Sequence, residues 1–367
     1  MTAIPKPRGN PAASLSDDLA RLGERYDTVS RFPSDSLDLL VASGLHRRFA
    51  PPEAGGEAFA DDEACNSRML TALGEVGHGD LSVGRLFEGH VNALLLFRWY
   101  GSASQKLWLR EQLARGAWFG VWASEPPPGV RIVGSDSPRL TGGKSFASGA
   151  GGINWSVVTA GSEGEARRLV VVRANDPERT DLSGWRVRGM RASVSGSYDL
   201  EGMEVTDAML LGQPGEYDRE PRFTAGAWRF CAVQLGGVEA LIRETARGMH
   251  PKAREDAILR QRFAKAYIAA RNARFWVEEA ARKAAAEADD AITTARIARG
   301  VVEDAGLLAI ETAARILGTR SAFDGQRADK IARDLSLYLR QAGPDYARDE
   351  AAKDILSREF APSGSLP

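Results

Sequence analysis

Gly143-Lys144-Ser145 resembles the close of a phosphate-binding loop, where backbone amides and a lysine cradle a nucleotide. That pattern needs a glycine five residues before the second one, and position 138 is proline. Gly149-Ala150-Gly151 begins a dinucleotide fingerprint that fails where Asn154 takes the third glycine's place. His46, His78, His90 and His250 are scattered and have no ligand at metal-binding spacing, so no metal site is expected. No Gly-x-Ser-x-Gly elbow supports a hydrolase. Cys65 and Cys231 sit among apolar or small residues in helical segments, as buried thiols do. No local motif carries the chemistry alone.

The elements that must position a site fall into three stretches. Residues 15–116 read as helices: Ser34-Asp35 opens one that carries Leu37, Leu40 and Val41, and Asp61-Asp62 opens one with Met69, Leu70 and Leu73 on a face. Leu86 to Phe97 and Ser104 to Leu113 complete the set. Residues 117–215 carry short β-branched or aromatic runs, at Trp118 to Ala123, Trp155 to Thr159, Leu169 to Val172 and Trp185 to Val187, separated by turn residues. From 216 to 345 the chain is helical again. Phe263, Ala266, Tyr267, Ala270, Ala273, Val277 and Ala280 share one helix face, and Ile292, Ala295, Val302, Ala305, Ala309, Ala313 and Ile316 share another. The expected fold is therefore α+β: an N-terminal helical domain, a central β-barrel or sandwich, and a C-terminal antiparallel four-helix bundle. Residues 1–14 and 346–367 are expected as tails.

Forty-eight basic against forty-nine acidic side chains give a net charge of −1, which removes the electrostatic case for nucleic acid. No run approaches the roughly 20 apolar residues that cross a bilayer. The Pro-, Ala- and Ser-rich start lacks a signal-peptide core, so a cytoplasmic protein is expected.

Against that three-part order, several segments resemble acyl-CoA dehydrogenases. Trp122-Ala123-Ser124-Glu125-Pro126 resembles the family's Thr-Glu-Pro segment, and Lys144-Ser145-Phe146-Ala147-Ser148 its Lys-x-Trp-Ile-Thr segment. Gly189-Met190-Arg191-Ala192-Ser193, and Ile316-Leu317-Gly318 followed by Arg333-Asp334, resemble its later landmarks. Phe32-Pro33, Pro51 to Gly56, and Gly101 with Gln105-Lys106 match the first domain. The resemblance runs in order along nearly the whole chain. It implies FAD, with Ser124 and Ser148 as hydroxyl partners of the isoalloxazine, Ala123 and Ala147 supplying backbone, and Phe146 in place of a stacking Trp. It further implies Arg254, and the Arg315 to Gly318 stretch, near the pyrophosphate of a neighbouring subunit's cofactor, although Arg315 replaces Gln and Thr319 replaces Gly. A homo-oligomer, dimer or tetramer, is expected, with a small acyl substrate such as an acyl thioester.

The chain departs from the family at the catalytic base. Counting nine from Arg333 reaches Ala342 rather than glutamate, and the alternative place on an earlier helix holds Gly226 and Ala227. Glu239 lies one turn beyond Gly236. Pro127-Pro128-Gly129-Val130-Arg131 replaces an acyl-CoA-binding Gly-Ala-Gly-Ser-Asp, and His250-Pro251 interrupts the helix after Gly236. The catalytic residues are thus unknown from sequence. Three readings are open: a divergent FAD-dependent dehydrogenase of acyl substrates, a flavin monooxygenase fed by a partner reductase, with Gln341 where such relatives have His, or a non-catalytic paralogue in a hetero-oligomer.

Overall fold

The computed structural model describes residues 14–162, 165–341 and 343–359. Residues 1–13 of the expected 1–14 tail, residues 360–367 and Ala342 lie outside them. Among the described residues, six helices come first: α1 (Leu15–Tyr26), α2 (Ser34–Ala42), α3 (Leu45–Arg48), α4 (Asp62–Gly79), α5 (Leu81–Tyr100) and α6 (Ala103–Ala114). Asp61 accepts the Ala64 amide at 2.7 Å to start α4, and Asp80 ends that helix and caps α5 through Val83. Such caps satisfy amides that the first helical turn leaves open.

The strands come next: β1 (Phe119–Trp122), β2 (Arg131–Val133), β3 (Arg139–Thr141), β4 (Gly143–Ala147), β5 (Trp155–Ser162), β6 (Glu165–Arg173), β7 (Thr180–Asp181), β8 (Gly196–Asp199) and β9 (Leu210–Leu211). One sheet runs β3-β2-β5-β6-β9, with β1 parallel to β5, and a second runs β4-β8-β7. The expected strand at Trp185–Val187 is a loop instead. Its aromatic signal belongs to packing: Trp185 rests against the core and donates Nε1 to the Met190 carbonyl at 3.3 Å.

The remaining helices are α7 (Arg222–Ala225), α8 (Trp228–Gly248), α9 (Pro251–Glu255), α10 (Ala257–Ala285), α11 (Ala291–Leu317), α12 (Arg327–Tyr338) and α13 (Pro344–Glu359). The alanine stripes of α10 and α11 are buried at Ala266, Ala270, Ala273, Ala305 and Ala309, so the two helices pack closely. Tyr267, assigned to the same face, is instead 51% exposed. Residues 346–359, expected as tail, belong to α13. Its buried face is only Ala347 and Ala351, and Arg348 ties it to Glu303 at 2.6 Å and Asp304 at 2.7 Å on α11. Two small residues and ion pairs leave little apolar periodicity to read.

Two of the landmark segments form one contact. Gly189 lies so close to the Arg333 carbonyl that a Cβ there would sit 2.1 Å from it. Next to it, the Met190 amide donates to buried Asp334 at 2.5 Å, and Lys330 bridges Asp334 at 2.7 Å and Asp80 at 2.8 Å. Arg333 clasps Asp27 at 2.6 Å and Asp329 at 2.7 Å. Arg333-Asp334 therefore docks the β domain onto both helical parts. Among the described residues, no helix is long and apolar enough to cross a membrane.

Candidate functional site

An open cleft of about 740 Å³ lies where the β domain, α5, α8, α11 and α13 meet. Its volume is in the range of small-molecule and cofactor sites. The β domain contributes Val121, Trp122, Ala123, Ser124 and Phe146. These come together because Lys144, wholly buried, crosses from β4 to β5, donating to the Thr159 carbonyl at 2.6 Å and hydroxyl at 3.0 Å. The same ammonium pairs with Glu125, one residue after Ser124. Burial pulls the Lys144 pKa down and Glu125 partly restores it. The Ser145 amide donates to the Ser124 carbonyl at 3.0 Å, fastening the two segments side by side.

Phe146 is the unusual member. A bulge interrupts the β4–β8 register between Lys144 and Ala147, and Phe146 adopts φ 50° there. Left-handed backbone costs a residue with a Cβ roughly 1–2 kcal/mol. The ring it redirects is 70% exposed and borders the cleft. The bulge also turns the next two residues inward. Ala147 is fully buried, and the Ser148 hydroxyl points to Ser195 at 2.9 Å while its carbonyl accepts Trp122 Nε1 at 3.0 Å. Ala123, Ser124 and Phe146 thus share the cleft, whereas Ala147 and Ser148 lie behind it.

Arg254, Arg315 and Gly318 are remote. At about 1.5 Å per residue, the end of α11 lies roughly 27 Å from Arg299, which lines the cleft. Arg254 donates to the Ala246 and Met249 carbonyls at the end of α8, at 2.6 and 3.2 Å, and Arg315 pairs with Glu311 at 2.7 Å. A Cβ on Gly248 would meet Leu317 at 2.8 Å, so these candidates gather at one end of the bundle, away from the cleft of the same subunit.

Sequence reasoning missed the helical wall. Arg85, Glu88 and Asn92 face the cleft from α5, where they are polar residues spaced three and four apart on a helix otherwise largely buried and apolar. Glu88 binds Arg85 and accepts from Asn92, so both carboxylate oxygens are engaged. Burial works against the Arg85 charge, but Glu88 outweighs it and raises the pKa. Arg299 interrupts the apolar stripe between Ala295 and Val302, a visible but unused signal. Gly226, Ala227, Gln341 and the α13 residues Tyr346 and Ala347 also border the cleft. Glu239 does not; it pairs with Arg274 at 2.6 Å. His46 and His90, distant in sequence, stack at 4.8 Å beneath β1. His90 Nδ1 accepts the Phe119 amide at 3.0 Å, so its Nε2 donates to the His46 carbonyl at 2.7 Å.

No protein-family model matches the sequence, and no curated protein matches it either. Solved structures do match the fold. The dibenzothiophene monooxygenase TdsC from Paenibacillus sp. A11-2, in its complex with FMN and indole, superposes with a TM-score of 0.82 at 18% identity, over 95% of this chain and 98% of that one. Methanesulfinate monooxygenase MsuC from Pseudomonas fluorescens gives 0.78 at 20% identity, over 96% of each chain. Glutaryl-coenzyme A dehydrogenase in its glutaryl-CoA complex gives 0.81 at 18% identity, over 94% of each chain. The chain has the acyl-CoA dehydrogenase-like fold that its sequence resembles.

Proposed function

We propose that this chain is a flavin-dependent oxidoreductase acting on an acyl or related small organic substrate, with isoalloxazine and substrate sharing the cleft. The observation that carries this is Phe146: an aromatic ring held outward in a costly backbone conformation, beside Ser124, on the wall of a cavity large enough for a tricyclic ligand. Phe146 would cover a ring face, and Ala123 and Ser124 would offer backbone and hydroxyl partners to a polar edge. A bound flavin supplies a two-electron acceptor beside the substrate. Trp99, Tyr100 and Phe223 give the cleft an aromatic side where an acyl or aromatic group can lie.

Within this reading, α,β-dehydrogenation is the finer proposal. Gly226 and Ala227 border the cleft without a carboxylate, and Glu220 is held by the Thr224 amide at 3.0 Å. Glu88 is the buried carboxylate of the cleft, and each of its engaged oxygens keeps a further lone pair for a substrate proton. Oxygenation is the second reading, supported by the likeness to TdsC and MsuC. FAD in a homo-oligomer is proposed because Arg254, Arg315 and Gly318 could serve a pyrophosphate only across a subunit boundary. Exposed Ile258, Tyr267, Ile268 and Phe275 on α10 support self-association.

Reconstitution tests this. Purified protein incubated with FAD or FMN and then desalted is expected to retain flavin absorption. Phe146→Gly, which removes both the ring and the need for a Cβ at positive φ, weakens flavin binding about tenfold without lowering the melting temperature. Protein that stays colourless with both nucleotides sinks the proposal. Anaerobic bleaching by an acyl thioester supports dehydrogenation, and product formation only with a reductase and oxygen supports oxygenation.

A further inference from the structure

Arginine dominates the charge of the cleft, and most of it is neutralised locally. Arg85 pairs with Glu88, Arg222 with Glu287 at 2.6 Å, and Arg296 with Glu350 at 3.7 Å. Arg229 and Arg299 have no carboxylate partner among the described residues, although both line the cavity. Arg229 donates Nε to Asn92 Oδ1 at 2.5 Å. Asn92 commits its own amide to Glu88, so it offers Arg229 a neutral oxygen and no charge. Arg299 is 1% exposed and donates Nε and Nη2 to backbone carbonyls of Leu339 and Gln341. Its Nη1 is buried with no hydrogen-bond partner among the described residues. The guanidinium lies 5.8 Å from the ring of Phe230, and Arg229, Phe230 and Arg299 all line the same cleft.

A buried guanidinium with a free N–H and no counter-charge is costly, and a ligand that supplies both an acceptor and a negative charge relieves that cost. Guanidinium geometry suits carboxylate and phosphate oxygens in particular. Burial lowers the pKa of Arg229, with Glu88 partly offsetting it, and burial likewise lowers that of Arg299. Neither arginine is needed to hold the helices together through an ion pair.

We propose that Arg229 and Arg299 form an oxyanion site in this cleft, which takes the carboxylate of an organic-acid substrate or the phosphate of the flavin. The inference rests on the proposed sharing of this cavity by substrate and flavin. It deepens that reading by making the ligand anionic where it meets Arg229 and Arg299 and aromatic or acyl where it meets Trp99, Tyr100 and Phe223.

The test uses flavin-free protein and pairs each anion with a neutral counterpart. Phenylacetate and phenylacetamide are titrated calorimetrically, and FMN and riboflavin by fluorescence quenching. The charged member of at least one pair is expected to bind about tenfold more tightly. Arg229→Gln is expected to abolish that preference and Arg229→Lys to keep part of it. Arg296→Gln, which removes an arginine already paired with Glu350, is expected to leave it intact. Preference for phenylacetate assigns the site to substrate, and preference for FMN over riboflavin assigns it to the cofactor. Equal binding within both pairs, or a preference that survives in well-folded Arg229→Gln, overturns the proposal. Arg229-dependent binding of phenylacetate by a protein that takes no flavin would retain the oxyanion site and sink the flavin reading. Equal, tight binding of FMN and riboflavin without a carboxylate preference would do the reverse.

Discussion

Lys144 places its amino group between the two sheets of the β domain, and Glu125 is its sole carboxylate partner among the described residues. Removing one member of a buried pair leaves an uncompensated charge and costs about 3–5 kcal/mol, whereas removing both is much milder. Glu125→Ala is therefore expected to destabilise the protein by about 3 kcal/mol, and the double change Glu125→Gln with Lys144→Met to recover most of it. Urea denaturation of the singles and the double measures the coupling, and strict additivity would show that the pair does not act as a unit. The pair also explains which site residues could be read from sequence. Ser124 and Phe146 end two segments locked together by Glu125 and Lys144, so their proximity was legible from the two segments in order. Ser148 was expected from the family resemblance alone, and the bulge with its positive φ at Phe146 turns the Ser148 hydroxyl toward Ser195 instead. Arg85, Glu88, Asn92 and Arg299 escaped notice because helical periodicity was used to find apolar faces and not the polar interruptions within them.

Between residues and the whole stand the helix pairs, among which α4 and α8 form a close crossing. A Cβ on Gly236 would sit 2.2 Å from the Gly74 carbonyl and 2.8 Å from the His78 amide, and one on Gly77 would sit 2.2 Å from the Val233 carbonyl. These neighbours are backbone, so they cannot swing aside. Alanine is a better helix former than glycine by about 1 kcal/mol, yet Gly236→Ala is expected to destabilise by about 2–3 kcal/mol because overpacking outweighs propensity. A denaturation midpoint equal to or above that of the wild type would show that the helices separate easily. The α8 wall of the cleft starts from this crossing, so its displacement also reaches Arg229 and Phe230. Helices such as α10 and α11 were legible because long alanine stripes repeat with the helical period. Contacts at Gly236 and Gly77 were not, since a glycine announces a close approach without saying to what. The helix α13 escaped for the opposite reason: ion pairs and two alanines hold it, and neither gives an apolar pattern.

At the scale of the molecule, the junctions between its parts are built on neutral histidine. His90 joins α3 and α5 to the start of β1, His46 stacks on it and hydrogen-bonds to the Ala117 carbonyl at 2.8 Å, and His78 lies near the end of α4, where its carbonyl accepts Arg327 at 2.9 Å. Burial lowers the pKa of all three: His46 below its usual value, His90 well below it, and His78 to about 4. The unfolded chain takes up protons on these rings near pH 6.5, whereas the folded protein takes them up only at lower pH. Their contribution is fully present above about pH 6.5 and is lost as pH falls through the folded values, at up to about 1.4 kcal/mol per pH unit for each ring. Burial pushes Asp334 the other way, with Lys330 partly countering it, so that carboxyl gives up its stabilising effect as pH rises and reduces the net slope. The unfolding free energy is thus expected to be level from pH 8 to 7 and to decline steeply between about pH 6.5 and 4. His78→Gln replaces the ring whose Nδ1 is buried without a partner among the described residues, and is expected to flatten the decline by close to one proton. Urea titrations across this range, read by tryptophan fluorescence, give the slope. A stability that stays level down to pH 5 would mean that the histidines at these junctions are already open to protons in the folded protein.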